Sequence, residues 1–240
     1  MRRPIGTVDP EKGQRTALAD LTTNAVNPNW IIRPARPGDA PAIASLMRRV
    51  FTETYGHVIA PDALERYLDT DFCERAIADA RASRPFLLVF GTEGLAGVGE
   101  MHVHPPPACV PAQDSLEIAR FYIHATYRGS GAAGALLAAC ERYGQDRQRS
   151  ALWLCTWEQN PRAVAFYHKH GFKIVGTMEI VASGVVFHDW VMMKDIQAHP
   201  NREQALQMLS QLASRAKPDG EHSHPAHAGG ADPDTREVRS

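Results

Sequence analysis

Two spacings of apolar residues alternate along the middle of the chain, and together they predict a domain of mixed helices and strands. A spacing of three to four residues, typical of helices, marks Ile43–Phe51, Pro61–Ser83, Gly131–Gln145 and Asn160–His170. Short apolar runs of strand length mark the segments Trp30–Pro34, Phe86–Phe90, Leu95–His104, Leu116–Ile123, Ala151–Thr156, Phe172–Ile180 and Val185–Lys194. This order favours an α/β (α+β) fold in which helices flank one mixed, mostly antiparallel sheet.

The two ends of the chain differ from this core. Residues 1–29 are polar, carry Gly and Pro and show no sustained period, so they predict a disordered N-terminal arm. Residues 218–240 are rich in Gly, Pro, His, Asp and Ser and predict a disordered tail. Between the core domain, residues 30–196, and this tail, apolar residues at helical spacing predict one appended helix within 197–217. That helix is suited to docking on the domain or on a second copy of the chain in a homodimer.

The net charge and the cysteine content limit the expected binding partners and the expected cellular compartment. The formal net charge is -1, which gives no global basic field and argues against nucleic acid and membrane surfaces as partners. No stretch approaches the roughly 18 consecutive apolar residues of a membrane span, and the N-terminus lacks an apolar run of signal-peptide length. The 4 cysteines contain no Cys-x-x-Cys pair, and we expect a protein of the reducing cytoplasm.

The segment that carries chemistry is a glycine-rich turn between a strand and a helix. Strand Leu116–Ile123 is followed by Arg128-Gly129-Ser130-Gly131-Ala132-Ala133-Gly134, where a helix begins. Helix N-termini present unpaired N–H groups and a partial positive charge, and glycine lets the backbone approach an anion without a Cβ clash. The turn therefore predicts phosphate binding. The alternative is a tight strand-to-helix connection without a ligand, and a P-loop is excluded because no Gly-Lys-Ser/Thr follows.

Two motifs in order resemble the GNAT superfamily of N-acetyltransferases. Residues Arg128–Ala133 are similar to its Gln/Arg-x-x-Gly-x-Gly/Ala signature, and Asn160–Phe172 is similar to its Asn-x-x-Ala-x-x-Phe-Tyr-x-x-x-Gly-Phe. The resemblance covers about Trp30–Asp195. It implies transfer of an acetyl group from acetyl-coenzyme A to a primary amine, without a metal.

A looser resemblance to the PaiA-type polyamine acetyltransferases implies a small aliphatic amine as the acceptor. It rests on the segments Thr52–His57, Ser115–Ile118, Leu152–Asn160 and Asp189–Met192. The chain departs from that subfamily at Ala119, where a second carboxylate is expected, and at Gly184–His188, which lacks an acidic run. Protein or peptide acetylation and a non-catalytic acyl-coenzyme A sensor are the competing hypotheses, because one fold serves many functions.

The superfamily resemblance also implies which residues bind the cofactor. Backbone groups freed where the sheet separates would hold the pantetheine arm, and the turn would hold the phosphates. These residues are Phe121, Tyr122, Ile123, Arg128, Gly129, Ser130, Gly131, Ala132, Ala133 and Gly134. Asn160 can cap its helix and also hydrogen bond the cofactor. Lys169 can reach a phosphate or stand as an exposed surface lysine.

Acetyl transfer needs a general acid for the leaving thiolate and a base for the amine. Tyr167 is the candidate acid, because a phenol with a pKa of about 10 is protonated at neutral pH. The alternative for Tyr167 is a ring packed beside Phe166. Glu117 is the candidate base, and its alternative is a structural ion pair. A base is also available from the groups that share one face of the preceding strand, which are Glu100, His102 and His104.

A cationic acceptor needs carboxylates or aromatic faces around it. We therefore expect Glu53, Tyr55 and Asp189 beside the amine. The alternative for the two carboxylates is an ordinary surface charge.

Histidine spacing raises the question of a metal. His102 and His104 would suit zinc with a third ligand such as His57 or His124, but no known ligand pattern supports this set. The histidines of the tail are more typical of a solvated segment. The sequence therefore predicts no metal.

Overall fold

The computed structural model describes residues 30–182 and 184–196, together with Gln207. The two predicted terminal arms lie outside the described residues. Of the predicted appended helix, only Gln207 is described, and it is helical. The assignments of both chain ends therefore stay predictions. None of the described helices has the length and apolarity needed to cross a membrane.

Helices and strands follow the order predicted from the sequence. The α-helices are α1 (Ala40–Tyr55), α2 (Pro61–Asp71), α3 (Glu74–Ser83), α4 (Ala132–Gln145) and α5 (Pro161–Lys169). The strands are β1 (Ile31–Pro34), β2 (Phe86–Gly91), β3 (Gly94–His102), β4 (Leu116–Ile123), β5 (Ala151–Trp157), β6 (Lys173–Ala182) and β7 (Val185–Asp195). Short 3-10 turns precede α1 at Pro37–Asp39 and follow β4 at Ala125–Tyr127.

The prediction of one helical region over Pro61–Ser83 is wrong in one respect, because the structure divides it in two. α2 ends before Phe72, whose side chain is fully buried, and Cys73 has an extended backbone conformation. The Cys73 sulfur accepts a hydrogen bond from the Ala76 N–H at 3.4 Å and caps α3. The break places the Phe72 ring edge-on against Phe51 of α1.

All seven described strands form one sheet in the order β1-β2-β3-β4-β5-β7-β6. Neighbouring strands run antiparallel except β4 and β5, which run parallel. This confirms the predicted fold of one mixed, mostly antiparallel sheet. The β4–β5 pair differs from the others, because only Leu116 and Glu117 of β4 have partners on β5, namely Leu152 and Trp153. Beyond Glu117 the two strands separate.

A bulge in β4 lies next to this separation. The register with β3 shifts between Glu100 and Met101, so that Ala119 has no partner and Arg120 lies opposite Glu100. A bulge bends its strand and increases the local twist. β3 itself ends at His102, earlier than the predicted end at His104.

Apolar side chains cover both faces of the sheet. On one face α4 contributes Leu136, Leu137 and Cys140 to the larger core cluster. On the other face α1 and α3 contribute Met47 and Ile77 to a second cluster. Burying a side chain of this kind contributes roughly 1.5–3 kcal/mol of hydrophobic free energy. Packing on both faces therefore holds the strands in place on either side of the separation.

A buried carboxylate fixes the bulged region. The side chain of Glu100 has 0% exposure and accepts hydrogen bonds from Arg84 at 2.7 Å and from Arg120 at 2.9 Å. The Arg120 guanidinium also lies over the Phe72 ring, 5.0 Å from its centroid. Because both carboxylate oxygens are engaged by guanidinium groups, Glu100 acts as a structural ion-pair partner and not as a free base.

We expect Glu100→Gln to lower the free energy of unfolding by about 3 kcal/mol, because it leaves two partly buried guanidinium groups without their carboxylate. Urea denaturation followed by circular dichroism measures this change. The control is Asp62→Asn, which removes the carboxylate of the exposed Arg66 pair and should leave the midpoint unchanged. Equal midpoints for Glu100→Gln and the unmodified chain would contradict the structural role.

Candidate active site

The separation of β4 and β5 opens a cleft of about 660 Å³, a volume within the usual range of ligand sites. Among the predicted site residues, the cleft is lined by Tyr55, Glu117, Phe121, Tyr122, Ile123, Arg128, Gly129, Ala133, Asn160, Tyr167 and Asp189. The predicted residues outside this lining are Glu53, Ser130, Gly131, Ala132, Gly134 and Lys169. The fold thus gathers most of the predicted site around one cavity.

The glycine-rich turn forms one end of the cleft. Gly129 and Gly131 have φ angles of 79° and 96°, in the left-handed region that favours glycine. Among the described residues, a Cβ at Gly129 would meet nothing within 4 Å, and a Cβ at Gly131 would come no closer than 3.8 Å to Trp30. Backbone conformation, and not crowding, therefore requires the glycines. The open space beside them leaves room for an anion at the N-terminus of α4, which carries a partial positive charge.

Charged side chains lie beside the turn. The Arg128 guanidinium donates to the Glu53 carboxylate at 2.6 Å. Arg162 of α5 also lines the cleft, and burial together with the nearby charge of Arg128 lowers its pKa, while Glu53 opposes that shift. Glu53, predicted beside the acceptor amine, thus lies at the turn. Sequence reasoning missed Arg162, although it stands inside the second motif directly after the start of α5.

The backbone of β4 borders the cleft along one edge. Phe121, Tyr122 and Ile123 pair with β3, opposite Gly99, Val98 and Gly97 respectively. They have no partner on β5, because the parallel pairing stops at Glu117. A strand edge of this kind can pair with an extended ligand as if the ligand were another strand. This geometry supports the predicted backbone role of the three residues.

Helix α5 brings Tyr167 to the middle of the cleft. The Tyr167 side chain is buried, with ring centroids 6.2 Å from Phe121, 5.3 Å from Phe166 and 5.5 Å from Phe172. Burial raises the pKa of the Tyr167 phenol, with nearby Cys140 and Tyr55 adding to the shift. The phenol is therefore protonated at neutral pH. The predicted packing beside Phe166 is present and the side chain also lines the cleft, while the role of Tyr167 as general acid stays a prediction.

The two other predicted residues of α5 occupy its ends. The Asn160 side chain accepts a hydrogen bond from the Ala163 N–H at 3.2 Å, which is the predicted cap, and it also lines the cleft. Lys169 is the last residue of the helix and is exposed. The phosphate contact proposed for Lys169 stays a prediction.

Glu117 lies where β4 and β5 begin to separate. Its carboxylate oxygen Oε2 is 2.7 Å from Nε2 of His104 and 3.8 Å from Nδ1 of His102. Glu117 is directly opposite His102 on β3 and opposite Trp153 on β5. The two histidines thus gather at Glu117, whereas Glu100 is held by arginines. The His104–Glu117 contact was not predicted, because it joins the loop after β3 to another strand.

The far end of the cleft combines aromatic rings with one carboxylate. The Tyr55 ring lies 5.6 Å from Trp157 and 5.4 Å from Phe187. Asp189 stands opposite Trp157 in the β5–β7 pairing. Burial, with a smaller contribution from Glu158, raises the pKa of Asp189 to about 6. A half-buried carboxylate beside aromatic faces is a suitable environment for a cation.

The sequence profile of the Acetyltransferase (GNAT) family matches residues 43–172. An uncharacterized N-acetyltransferase of Mycobacterium tuberculosis (strain ATCC 25618 / H37Rv) is 26% identical over 161 residues, covering 66% of this chain and 98% of the relative. Another, from the pepI 3'region of Lactobacillus delbrueckii subsp. lactis, is 26% identical over 135 residues, covering 55% of this chain and 78% of the relative. The matched range contains the turn, Glu117 and Tyr167.

Solved structures show the same fold. The PaiA N-acetyltransferase from Thermoplasma acidophilum, determined in complex with coenzyme A, has a TM-score of 0.57 at 19% identity, covering 69% of this chain and 98% of that chain. The ribosomal-protein-S18-alanine N-acetyltransferase from Escherichia coli has a TM-score of 0.53 at 16% identity, covering 72% of this chain and 97% of that chain. At these low sequence identities, the similarity shows a shared fold only.

Proposed function

The chain belongs to the acetyltransferase (GNAT) family, with acetyl-coenzyme A as its co-substrate, and from this premise we propose that it acetylates the primary amine of a small aliphatic molecule such as a polyamine. The observation that carries the proposal is the continuity of one cleft. That cleft joins the glycine-rich turn, Tyr167 and Glu117 to the carboxylate of Asp189. An acyl donor and an amine can therefore meet within one cavity.

The turn and the open edge of β4 would hold acetyl-coenzyme A. The phosphates would lie at the positive N-terminus of α4, near Arg128 and Arg162. The unpaired edge at Phe121–Ile123 suits the amide groups of the pantetheine arm, as an added strand would. A backbone N–H at this edge can also donate to the carbonyl oxygen that gains charge during transfer. Bound in this way, the donor supplies the activated acetyl group.

Glu117 and Tyr167 would move the two protons of the reaction. An alkylammonium has a pKa of about 10.4, so freeing the amine at neutral pH costs about 4–5 kcal/mol. The ammonium first loses one proton to solvent. Glu117, hydrogen bonded to His104, then takes a second proton from the nitrogen as it bonds to the acetyl carbon. Tyr167, kept protonated by burial, gives a proton to the sulfur as the carbon–sulfur bond breaks. The products are the acetylated amine and free coenzyme A, and proton exchange with solvent returns Glu117 and Tyr167 to their starting states.

Asp189 and the aromatic rings would select the acceptor. An ammonium group removed from water needs a carboxylate or an aromatic face as compensation. Tyr55 and Asp189 line the same cleft, and burial, with a further contribution from the nearby charge of Asp189, raises the pKa of Tyr55 to about 12. With a pKa of about 6, Asp189 is mostly ionised above pH 7 and can pair with a second positive charge of the acceptor.

We expect Gly131→Asp to weaken coenzyme A binding about 10²-fold, which corresponds to about 2.7 kcal/mol. The new carboxylate would stand where phosphates are proposed to bind, and a side chain is strained at the φ of 96°. Titration calorimetry measures the change. Gly94→Asp is the matched control, because Gly94 also has a positive φ, 116°, in open space at the β2–β3 turn. Unchanged affinity in folded Gly131→Asp would refute the phosphate site.

Tyr167→Phe should lower kcat by about 10²–10⁴-fold, because it removes the proton donor and keeps the packed ring. Affinity for coenzyme A should change little. The control is Tyr143→Phe, which makes the same chemical change at an equally buried tyrosine of α4 that does not line the cleft. This control variant should have an unchanged kcat. If kcat of Tyr167→Phe stayed within about twofold, Tyr167 would be a packing residue and a binding module without catalysis would be favoured.

Asp189→Asn should raise the KM for spermidine about tenfold, a loss of about 1.4 kcal/mol, with coenzyme A affinity unchanged. Steady-state kinetics with spermidine, spermine and a lysine-bearing peptide measure this effect. Asp195→Asn, at the exposed end of β7, is the control. Turnover of the peptide without any turnover of spermidine would overturn the polyamine assignment and favour protein acetylation, while acetyl transfer itself would stand.

A further inference from the structure

Three side chains with metal-ligand chemistry meet where β4 and β5 begin to separate. They are His102, His104 and Glu117, and each offers one ligand atom within 4.8 Å of the other two. Glu117 Oε2 is 2.7 Å from His104 Nε2 and 3.8 Å from His102 Nδ1. We propose that this cluster binds a divalent transition-metal ion, zinc above all, and that the bound ion inhibits acetyl transfer.

The fold builds this cluster from two neighbouring strands. His102 ends β3 directly opposite Glu117 on β4, so their side chains share one face of the sheet. His104 follows two residues later, while Val103 between them is 51% exposed, as expected from the alternation of an extended chain. Pro105 restricts the preceding residue to extended conformations. This restriction reduces the number of backbone conformations available to His104.

The ligand atoms have suitable chemistry and spacing. Two imidazole nitrogens with one carboxylate oxygen are the protein ligands of several zinc sites that keep an open fourth position. Zinc bonds of about 2.0–2.1 Å in a tetrahedron place ligand atoms about 3.3–3.4 Å apart. The distances of 2.7 and 3.8 Å lie on either side of that value. Small side-chain rotations would therefore complete the site.

An ion can reach the cluster from the cleft. The side chains of His102 and His104 are 40% and 35% exposed, and that of Glu117 is 17% exposed. His104 and Glu117 line the cleft, so an open fourth position would face the acceptor. The buried ring of Trp153, which also lines the cleft, lies 5.4 Å from His104. An apolar ring beside the ligand atoms limits competition from water.

Other histidines considered from the sequence are engaged elsewhere. The His57 ring is 6.0 Å from Trp157, and the His124 Nε2 is 2.7 Å from an Arg49 nitrogen. The third ligand is thus Glu117, which sequence spacing alone does not indicate. The catalytic chemistry of the family needs no metal, so the ion would be an inhibitor and not a cofactor.

Inhibition follows if Glu117 is the base, and this part of the inference rests on the proposed function. A carboxylate oxygen bonded to zinc cannot accept a proton from the amine. The ion would also take the space that the acceptor nitrogen needs beside Glu117. Zinc should therefore compete with the amine and leave coenzyme A binding unchanged.

The test is calorimetric titration of zinc chloride into the chelator-treated full chain and its variants. We expect one site whose affinity falls more than tenfold, about 1.4 kcal/mol, in His102→Asn. His188→Asn is the matched control, because His188 and Glu179 form a similar pair at 3.7 Å on β6 and β7 without a third described ligand. A variant with His222, His224 and His227 changed to Asn removes zinc binding by the tail. Equal zinc affinity in His102→Asn and the unmodified chain would overturn the site.

Kinetic measurements test the inhibition of acetyl transfer separately from zinc binding. The ratio of rates with and without zinc is measured within each variant, at several spermidine concentrations. We expect zinc to raise the KM in the unmodified chain and in His188→Asn, and to have more than tenfold weaker effect in His102→Asn. Zinc binding that depends on His102 but leaves turnover unchanged would overturn the inhibition and, with it, the base role of Glu117. If no amine were acetylated, the proposed function would fail, and calorimetry would still decide the metal site.

Discussion

The separation of two parallel strands is the constraint on which the site depends. β4 and β5 share only two paired positions, ending at Glu117 and Trp153, and then diverge. The divergence leaves one edge of β4 unpaired, and the cleft that opens there is lined by Tyr167 of α5 and by Arg128 and Gly129 of the glycine-rich turn. Core clusters on both faces of the sheet, together with the buried Glu100 ion pairs, stabilise the strands around the gap.

Burial raises the pKa of two ionisable groups in the cleft, and the roles proposed for the two groups differ. The Tyr167 phenol keeps its proton because burial raises its pKa, which suits a donor. Burial also raises the pKa of the Asp189 carboxyl, to about 6. This carboxyl is still mostly ionised above pH 7 and is therefore suited to binding a cation. Glu117 combines with His104 at the point where the strands part. The Glu117 carboxylate thus takes part in both the proposed proton transfer and the proposed zinc site. For this reason the acceptor amine and the zinc ion should exclude each other.

Local patterns in the sequence predicted most of the fold and one end of the site. Adjacent residues encode the glycine-rich turn at Arg128–Gly134 and the capped start of α5 at Asn160. The spacing of these residues along the chain is therefore sufficient to predict both features. The break at Phe72 was missed, because helical apolar spacing continues on both sides of it. The His104–Glu117 contact and the position of Glu53 at Arg128 depend on how distant segments meet. The register of β3 with β4, including the bulge at Ala119, determines the first contact, and the packing of α1 determines the second. Neither has a local signal in the sequence.

Hydrogen–deuterium exchange with and without coenzyme A tests the central claim most directly, because it measures where the donor lies along the gap between β4 and β5. We expect slower exchange on coenzyme A binding in peptides that contain Phe121–Ile123 and the turn Arg128–Gly134. Peptides of α3, which does not line the cleft, should exchange at unchanged rates. Saturating coenzyme A that left exchange of β4 and the turn unchanged would contradict the account.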